Sequence, residues 1–126
     1  MFPTAKRVAA AGVREIVRLG ILPQRARTLV ALAEAAAGGE ILLEPGHSVE
    51  RALEKLRAIE GIGEWTAQYI AMRALSWPDA FPHTDLGFKK ALGGVGAREI
   101  LEKAERWRPW RSYAAMHLWN QLEVAR

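Results

Sequence analysis

Apolar and polar residues alternate along this chain with a helical period, and glycines and prolines cut that period into short lengths. Ala26, Leu29, Val30, Ala33 and Ala37 fall three or four apart, so a helix over 23–37 buries one stripe. Pro23 suits its first turn and Gly38-Gly39 its end. Before it, Thr4 can cap a helix over 5–11 that stops at Gly12, and a second over 13–19 stops at Gly20. After a loop at 40–47, Ser48 can cap a fourth helix to about residue 57, with Val49, Leu53 and Leu56 inward. A fifth is predicted over 63–75, ending near Ser76-Trp77-Pro78, and a sixth over 85–92. A seventh covers 97–106, and Pro109 starts an eighth that runs to about 124. No alternating β-branched run marks a strand, and no heptad is sustained. The expected fold class is all-α, a compact bundle of about eight short helices.

Composition narrows the function classes. A length of 126 residues suggests a single domain over 1–126, and 50% apolar with 25% charged residues is a globular balance. No apolar run approaches 18 residues, so no membrane partner is expected. The start has no apolar stretch of signal-peptide type, and the expected compartment is the cytoplasm. With no cysteine, the chain has no disulfide, thiol nucleophile, zinc finger or iron–sulfur cluster. The formal net charge of +4 makes nucleic acid a plausible partner. The excess is uneven: residues 1–29 carry six basic side chains against Glu15, whereas 30–96 carry more acidic than basic ones. Solvated helix faces account for such a pattern equally well.

One constellation is Leu56-Arg57-Ala58-Ile59-Glu60-Gly61-Ile62-Gly63-Glu64-Trp65-Thr66-Ala67. A helix ends, two glycines one residue apart make a tight turn, and a helix begins. Glycines permit positive φ and close approach of another backbone. The free N–H groups and positive dipole end of the new helix suit one DNA phosphate. Ile62 can anchor the turn in the core. Gly-x-Gly alone is also an ordinary helix–helix turn. Glu60 and Glu64 put negative charge beside it.

A second constellation is Phe81-Pro82-His83-Thr84-Asp85-Leu86-Gly87-Phe88-Lys89-Lys90. The commonest work of an aspartate at a helix start is to cap it, and capping holds a carboxylate ionised and in place. His83 reads as a loop residue and Asp79 as a turn residue after Pro78. Five tryptophans are many for this length. Trp107 and Trp110 read as core and helix-packing residues. Trp65 and Tyr69, four apart, share one helix face. With Trp119 they can stack on a planar base, and a base with a positive ring gains further attraction from such faces.

The turn, Asp85 and the stretch Ala104-Glu105-Arg106-Trp107-Arg108-Pro109-Trp110-Arg111-Ser112-Tyr113-Ala114 together resemble the helix-hairpin-helix DNA glycosylase superfamily. Within it, the chain looks like the C-terminal part of the bacterial DNA-3-methyladenine glycosylase II family, a part that can also be fused behind an alkylation-response regulator. That resemblance implies an enzyme that flips alkylated purines of the 3-methyladenine type out of double-stranded DNA and hydrolyses the N-glycosidic bond. It makes Asp85 the catalytic carboxylate, and Gly61, Ile62, Gly63 and Thr66 the DNA-binding hairpin. It implies no required cofactor. In that family, main-chain carbonyls of the turn, here Arg57, Ile59 and Ile62, hold a monovalent cation when DNA is bound. Strand-cleaving relatives carry a lysine nucleophile at the position of Trp65, so no strand cleavage is expected. The family has an N-terminal β domain and first helices before the point matching Phe2. The sequence therefore looks like part of a longer protein, with self-association a means of covering exposed apolar surface. The competing expectation is a non-catalytic helix-hairpin-helix DNA-binding module or an inactive glycosylase fragment.

Overall fold

The structure is a computed structural model that describes residues 2–124. Its described residues form seven α-helices and one 3₁₀ turn, with no strand, so the all-α expectation holds. The chain divides into two compact units, which meet in sequence between Gly63 and Glu64.

In the first unit, α1 (Ala5–Arg18) is capped by Thr4, whose Oγ1 accepts the Arg7 N–H at 3.2 Å. Gly12 interrupts it at φ +77°, so this element is the two short helices that the sequence predicts, joined at a kink. Helix α2 (Pro23–Ala37) begins on Pro23 and buries Ala26, Val30 and Ala33. Its predicted stripe is narrower than expected, because Leu29 is exposed and Ala37 lies at the open end. Ile16, Ala26 and Val30 form the core between α1 and α2, with Val8, Val13, Val17 and Ile21 packed against it. Helix α3 (Val49–Ala58) is capped by Ser48 and buries Ala52, Leu53 and Leu56.

In the second unit, α4 (Glu64–Arg73) is shorter than the helix predicted over 63–75. Then come α5 (Leu86–Ala91), α6 (Ala97–Ala104), the 3₁₀ turn Glu105–Trp107, and α7 (Arg111–Val124), with α5 packed on α7. Helix α7 starts at Arg111 rather than Pro109. The Asp79 carboxylate accepts the Arg111 N–H at 3.3 Å, and the Pro78 carbonyl accepts the Ser112 N–H at 2.8 Å. Two of the donors that every helix N-terminus leaves over are satisfied in this way by the loop before α5.

That loop is pinned from three sides. Ser112 Oγ lies 2.7 Å from the Trp77 carbonyl and 2.9 Å from that of Ala80. Buried Gln68, on α4, accepts the Phe81 N–H at 3.0 Å and donates to Glu64 at 3.0 Å. Asp79 is itself buried, and its carboxylate takes the guanidinium of Arg111 at 2.9 and 3.1 Å and that of Arg108 at 3.0 Å. Asp79 is therefore a turn residue, as the sequence suggests, and also the anchor that ties the loop to α7. These bonds fix the segment that ends at Asp85.

Candidate active site

Asp85 caps α5 with an extended backbone, at φ −62° and ψ 128°. Its Oδ1 accepts the Phe88 N–H at 3.2 Å, which is the local bond expected of an N-cap. Two indoles reach the same carboxylate. Trp65 Nε1 donates to Oδ2 at 2.7 Å, and Trp119 Nε1 donates to Oδ1 at 3.2 Å. The second unit thus gathers residues from α4, the α5 cap and α7, which lie far apart in sequence.

Each indole is set by an aromatic neighbour. Trp65 stacks on Tyr69, with centroids 4.9 Å apart and planes 12° apart, as their four-residue spacing on α4 predicts. Tyr69 meets Trp119 edge-on at 6.2 Å, and the Arg73 guanidinium sits 5.5 Å from the Tyr69 centroid. Trp119 stacks on the fully buried Phe88 at 5.2 Å, Phe88 on Phe81 at 4.8 Å, and Trp107 leans on Phe81 at 6.0 Å. Because Trp65 and Tyr69 lie face against face, no gap separates their rings, and Arg73 lies over the Tyr69 ring. Trp65 is 36% exposed, so its ring remains reachable.

Gly87 is a site residue that the sequence did not single out. A Cβ there would lie 2.8 Å from Asp85 Oδ1 and 2.9 Å from Leu122 Cδ1. Its constraint depends on how the Asp85 carboxylate is turned and on Leu122 from α7, so no local pattern announces it. Trp107 is half-buried against Phe81, as expected of a packing residue. Trp110 departs from that expectation. It is 57% exposed and pairs at 6.0 Å with Tyr113, which is also exposed. His83 is a half-buried loop residue whose N–H goes to the Phe81 carbonyl.

At the turn after α3, Gly61 takes φ +96°, and a Cβ there would collide with Thr28 Oγ1 at 2.1 Å. Thr28 Oγ1 donates to the Glu60 carbonyl at 2.9 Å and so props the turn on α2. Ile62 is buried, and its N–H donates to the Ile59 carbonyl at 3.1 Å. Gly63 differs from Gly61: it has no positive φ, and nothing lies within 4 Å of where its Cβ would be. Neither conformation nor internal packing asks for glycine there. Thr66 is half-buried in the first turn of α4.

This all-helical chain, with an aspartate at a helix start set among stacked aromatics, is similar to a segment of proteins named DNA-3-methyladenine glycosylases. The chain is 41% identical over 118 residues to DNA-3-methyladenine glycosylase 2 of Escherichia coli, covering 94% of this chain and 42% of that protein. It is 44% identical over 109 residues to the probable bifunctional transcriptional activator/DNA repair enzyme AlkA of Mycobacterium tuberculosis, covering 83% of this chain and 22% of that protein. Among solved structures, the 3-methyladenine DNA-glycosylase from Archaeoglobus fulgidus superimposes with a TM-score of 0.73 at 27% identity, over 93% of this chain and 42% of that one. No family model matches the chain. The chain spans less than half the length of each of these relatives, to a segment of which it is homologous. Among the described residues no cluster of three or more His, Asp or Glu side chains could hold a metal ion, and no helix is long and apolar enough to cross a membrane.

Proposed function

We propose that this chain carries the catalytic residues of a monofunctional DNA glycosylase that excises alkylated, 3-methyladenine-type purines from double-stranded DNA. The observation that carries this reading is the Asp85 carboxylate, fixed at the start of α5 by Phe88 N–H and two indoles within an aromatic cluster. In the reaction the C1′–N bond breaks and its electron pair goes to the base, cancelling the positive charge that alkylation put there. The sugar becomes oxocarbenium-like, and a carboxylate beside it lowers the energy of that cation. Water then bonds to C1′ and its proton leaves through the carboxylate to solvent. Because an alkylated base is already a good leaving group, one carboxylate suffices and no separate acid is needed. The aromatic cluster of Trp65, Tyr69 and Trp119 would receive the extruded base, the open face of Trp65 stacking on it with a gain from its positive ring.

The turn Gly61-Ile62-Gly63, with Thr66, would take one backbone phosphate as a helix-hairpin-helix motif. Open space over Gly63 supports this, since a glycine required by neither φ nor internal contact suits close approach of a partner. The carbonyls of Arg57, Ile59 and Ile62 are neutral oxygen donors, which suit a monovalent cation beside that phosphate. The Ile59 carbonyl accepts one hydrogen bond and retains its other lone pair for it.

The test is release of free 3-methyladenine from methylated duplex DNA by this chain and by Asp85→Asn. Release by the parent and none by the variant, with DNA still bound by both, is the expected result. DNA binding without release by either would make the chain a binding module. Gly63→Asp is expected to weaken DNA binding roughly tenfold while the chain stays folded; unchanged affinity would remove the phosphate from the turn.

A further inference from the structure

We infer that Trp65 and Trp119 are positioning residues for Asp85: their indole N–H groups orient the carboxylate so that Oδ2 is the oxygen that faces the reacting sugar. This rests on the glycosylase reading of the site. A carboxylate offers about four lone-pair positions. Oδ1 spends both of its own, on Phe88 N–H and Trp119 Nε1, each at 3.2 Å. Oδ2 takes one short bond, from Trp65 Nε1 at 2.7 Å, and keeps one lone pair. Gly87 leaves Oδ1 the room to sit there, since a Cβ at that position would lie 2.8 Å from the oxygen.

The donors are themselves aimed. The stack on Tyr69 sets the plane of Trp65, and the stack on Phe88 sets the plane of Trp119. A tryptophan chosen only to lie on a base needs a free face and no particular direction for its N–H. Here both indoles direct that N–H at the same side chain from different helices. Both are neutral, so they hold the carboxylate without cancelling its charge, which a nearby arginine or lysine would do. The geometry gives Trp65 two duties: its edge orients Asp85 while its outer face remains available to the base.

The intact 126-residue chain has five tryptophans, so its indole N–H signals are few enough to resolve by NMR. Asp85→Asn keeps one acceptor oxygen and turns the other into a donor. It is expected to displace the Trp65 and Trp119 indole signals and speed their exchange with solvent, leaving Trp77, Trp107 and Trp110 in place. Signals of Trp65 and Trp119 that stay where they are would overturn the clamp. Trp65→Phe keeps a ring for Tyr69 and the base but removes the donor. On methylated DNA its single-turnover rate at saturation is expected to fall roughly 10- to 100-fold, with KM within about twofold. A raised KM with an unchanged saturated rate would make Trp65 a stacking residue only. If the unaltered chain releases no base, the glycosylase reading fails, and the indole signals still decide the clamp.

Discussion

Two carboxylates six residues apart in the second unit have opposite surroundings. Asp79 is buried and receives two guanidinium groups, from Arg111 at 2.9 and 3.1 Å and from Arg108 at 3.0 Å. Asp85 is half-buried and receives two indoles and a backbone N–H, none of them charged. Both are held firmly, yet only one is neutralised. Ion pairs at Asp79 cancel the charge that burial would make costly, and they serve to fasten the loop to α7. Neutral donors at Asp85 fix direction and leave the negative charge to act on whatever comes near. The two carboxylates thus differ in the charge of their donors, not in how many there are, and the proposed role of Asp85 in catalysis asks for uncharged ones.

The largest effects should separate the two corners completely. Asp85→Asn retains a good helix cap, so melting should move little. Base release should fall by roughly 10³-fold or more, about 4 kcal/mol of transition-state stabilisation. Single-turnover kinetics and a thermal melt of the same sample measure both; a large loss of Tm would mean that Asp85 belongs with Asp79. Asp79→Ala should do the reverse. It leaves the Arg111 guanidinium, whose side chain is 8% exposed, without its partner. A loss of about 3 kcal/mol and a fall in Tm on the order of 10 °C are expected. Equal melting of variant and parent would show that the two arginines do not need this carboxylate.

The contrast between these corners also shows how far the sequence could be read. Caps are local, so Thr4, Ser48 and Asp85 were legible as helix starts, and Gly12 as a break. The Trp65–Tyr69 stack was legible because it follows from four-residue spacing on one helix. Asp79 was legible only as a turn residue, since its partners lie 29 and 32 positions further on. The available signal was Arg108 and Arg111, two arginines flanking Pro109-Trp110. The hydrogen bonds from Trp65 and Trp119 to Asp85 were not legible at all, because a tryptophan in a sequence advertises its ring and not the direction of its N–H. Gly87 escaped too, because its constraint depends on where the Asp85 carboxylate and Leu122 of α7 lie in the fold. The start of α7 was misplaced by two residues because Asp79, and not Pro109, sets it.

A smaller change sharpens the comparison from the Asp85 side. Gly87→Ala places a methyl 2.8 Å from Asp85 Oδ1 and 2.9 Å from Leu122 Cδ1. The end of the Leu122 side chain can yield, whereas the carboxylate yields only by leaving its donors. Base release should therefore slow roughly tenfold, about 1.4 kcal/mol, with the Asp79 corner untouched. Kinetics as fast as those of the parent would show that the carboxylate tolerates displacement and that its orientation is not selected.

The smallest effect lies at the rim of the Asp79 corner. Glu105 accepts from Arg108 Nε at 2.8 Å, and that hydrogen bond holds its carboxyl below the ordinary value of 4.5. A carboxyl whose folded value is depressed contributes stability above its unfolded value and loses it as pH falls through the folded one. Glu105→Gln should thus melt slightly below the parent at neutral pH, and the gap should close on acidification below about 4.5. Both side chains are open to solvent, so added salt should shrink the gap as well. Arg108 also reaches Asp79, so the variant asks whether a screened outer carboxylate helps to aim the guanidinium that the buried one uses. Melting curves of parent and variant across this pH range, at low and high salt, give the answer. A gap indifferent to both pH and salt would place the effect of Glu105 in packing and leave the buried corner self-sufficient.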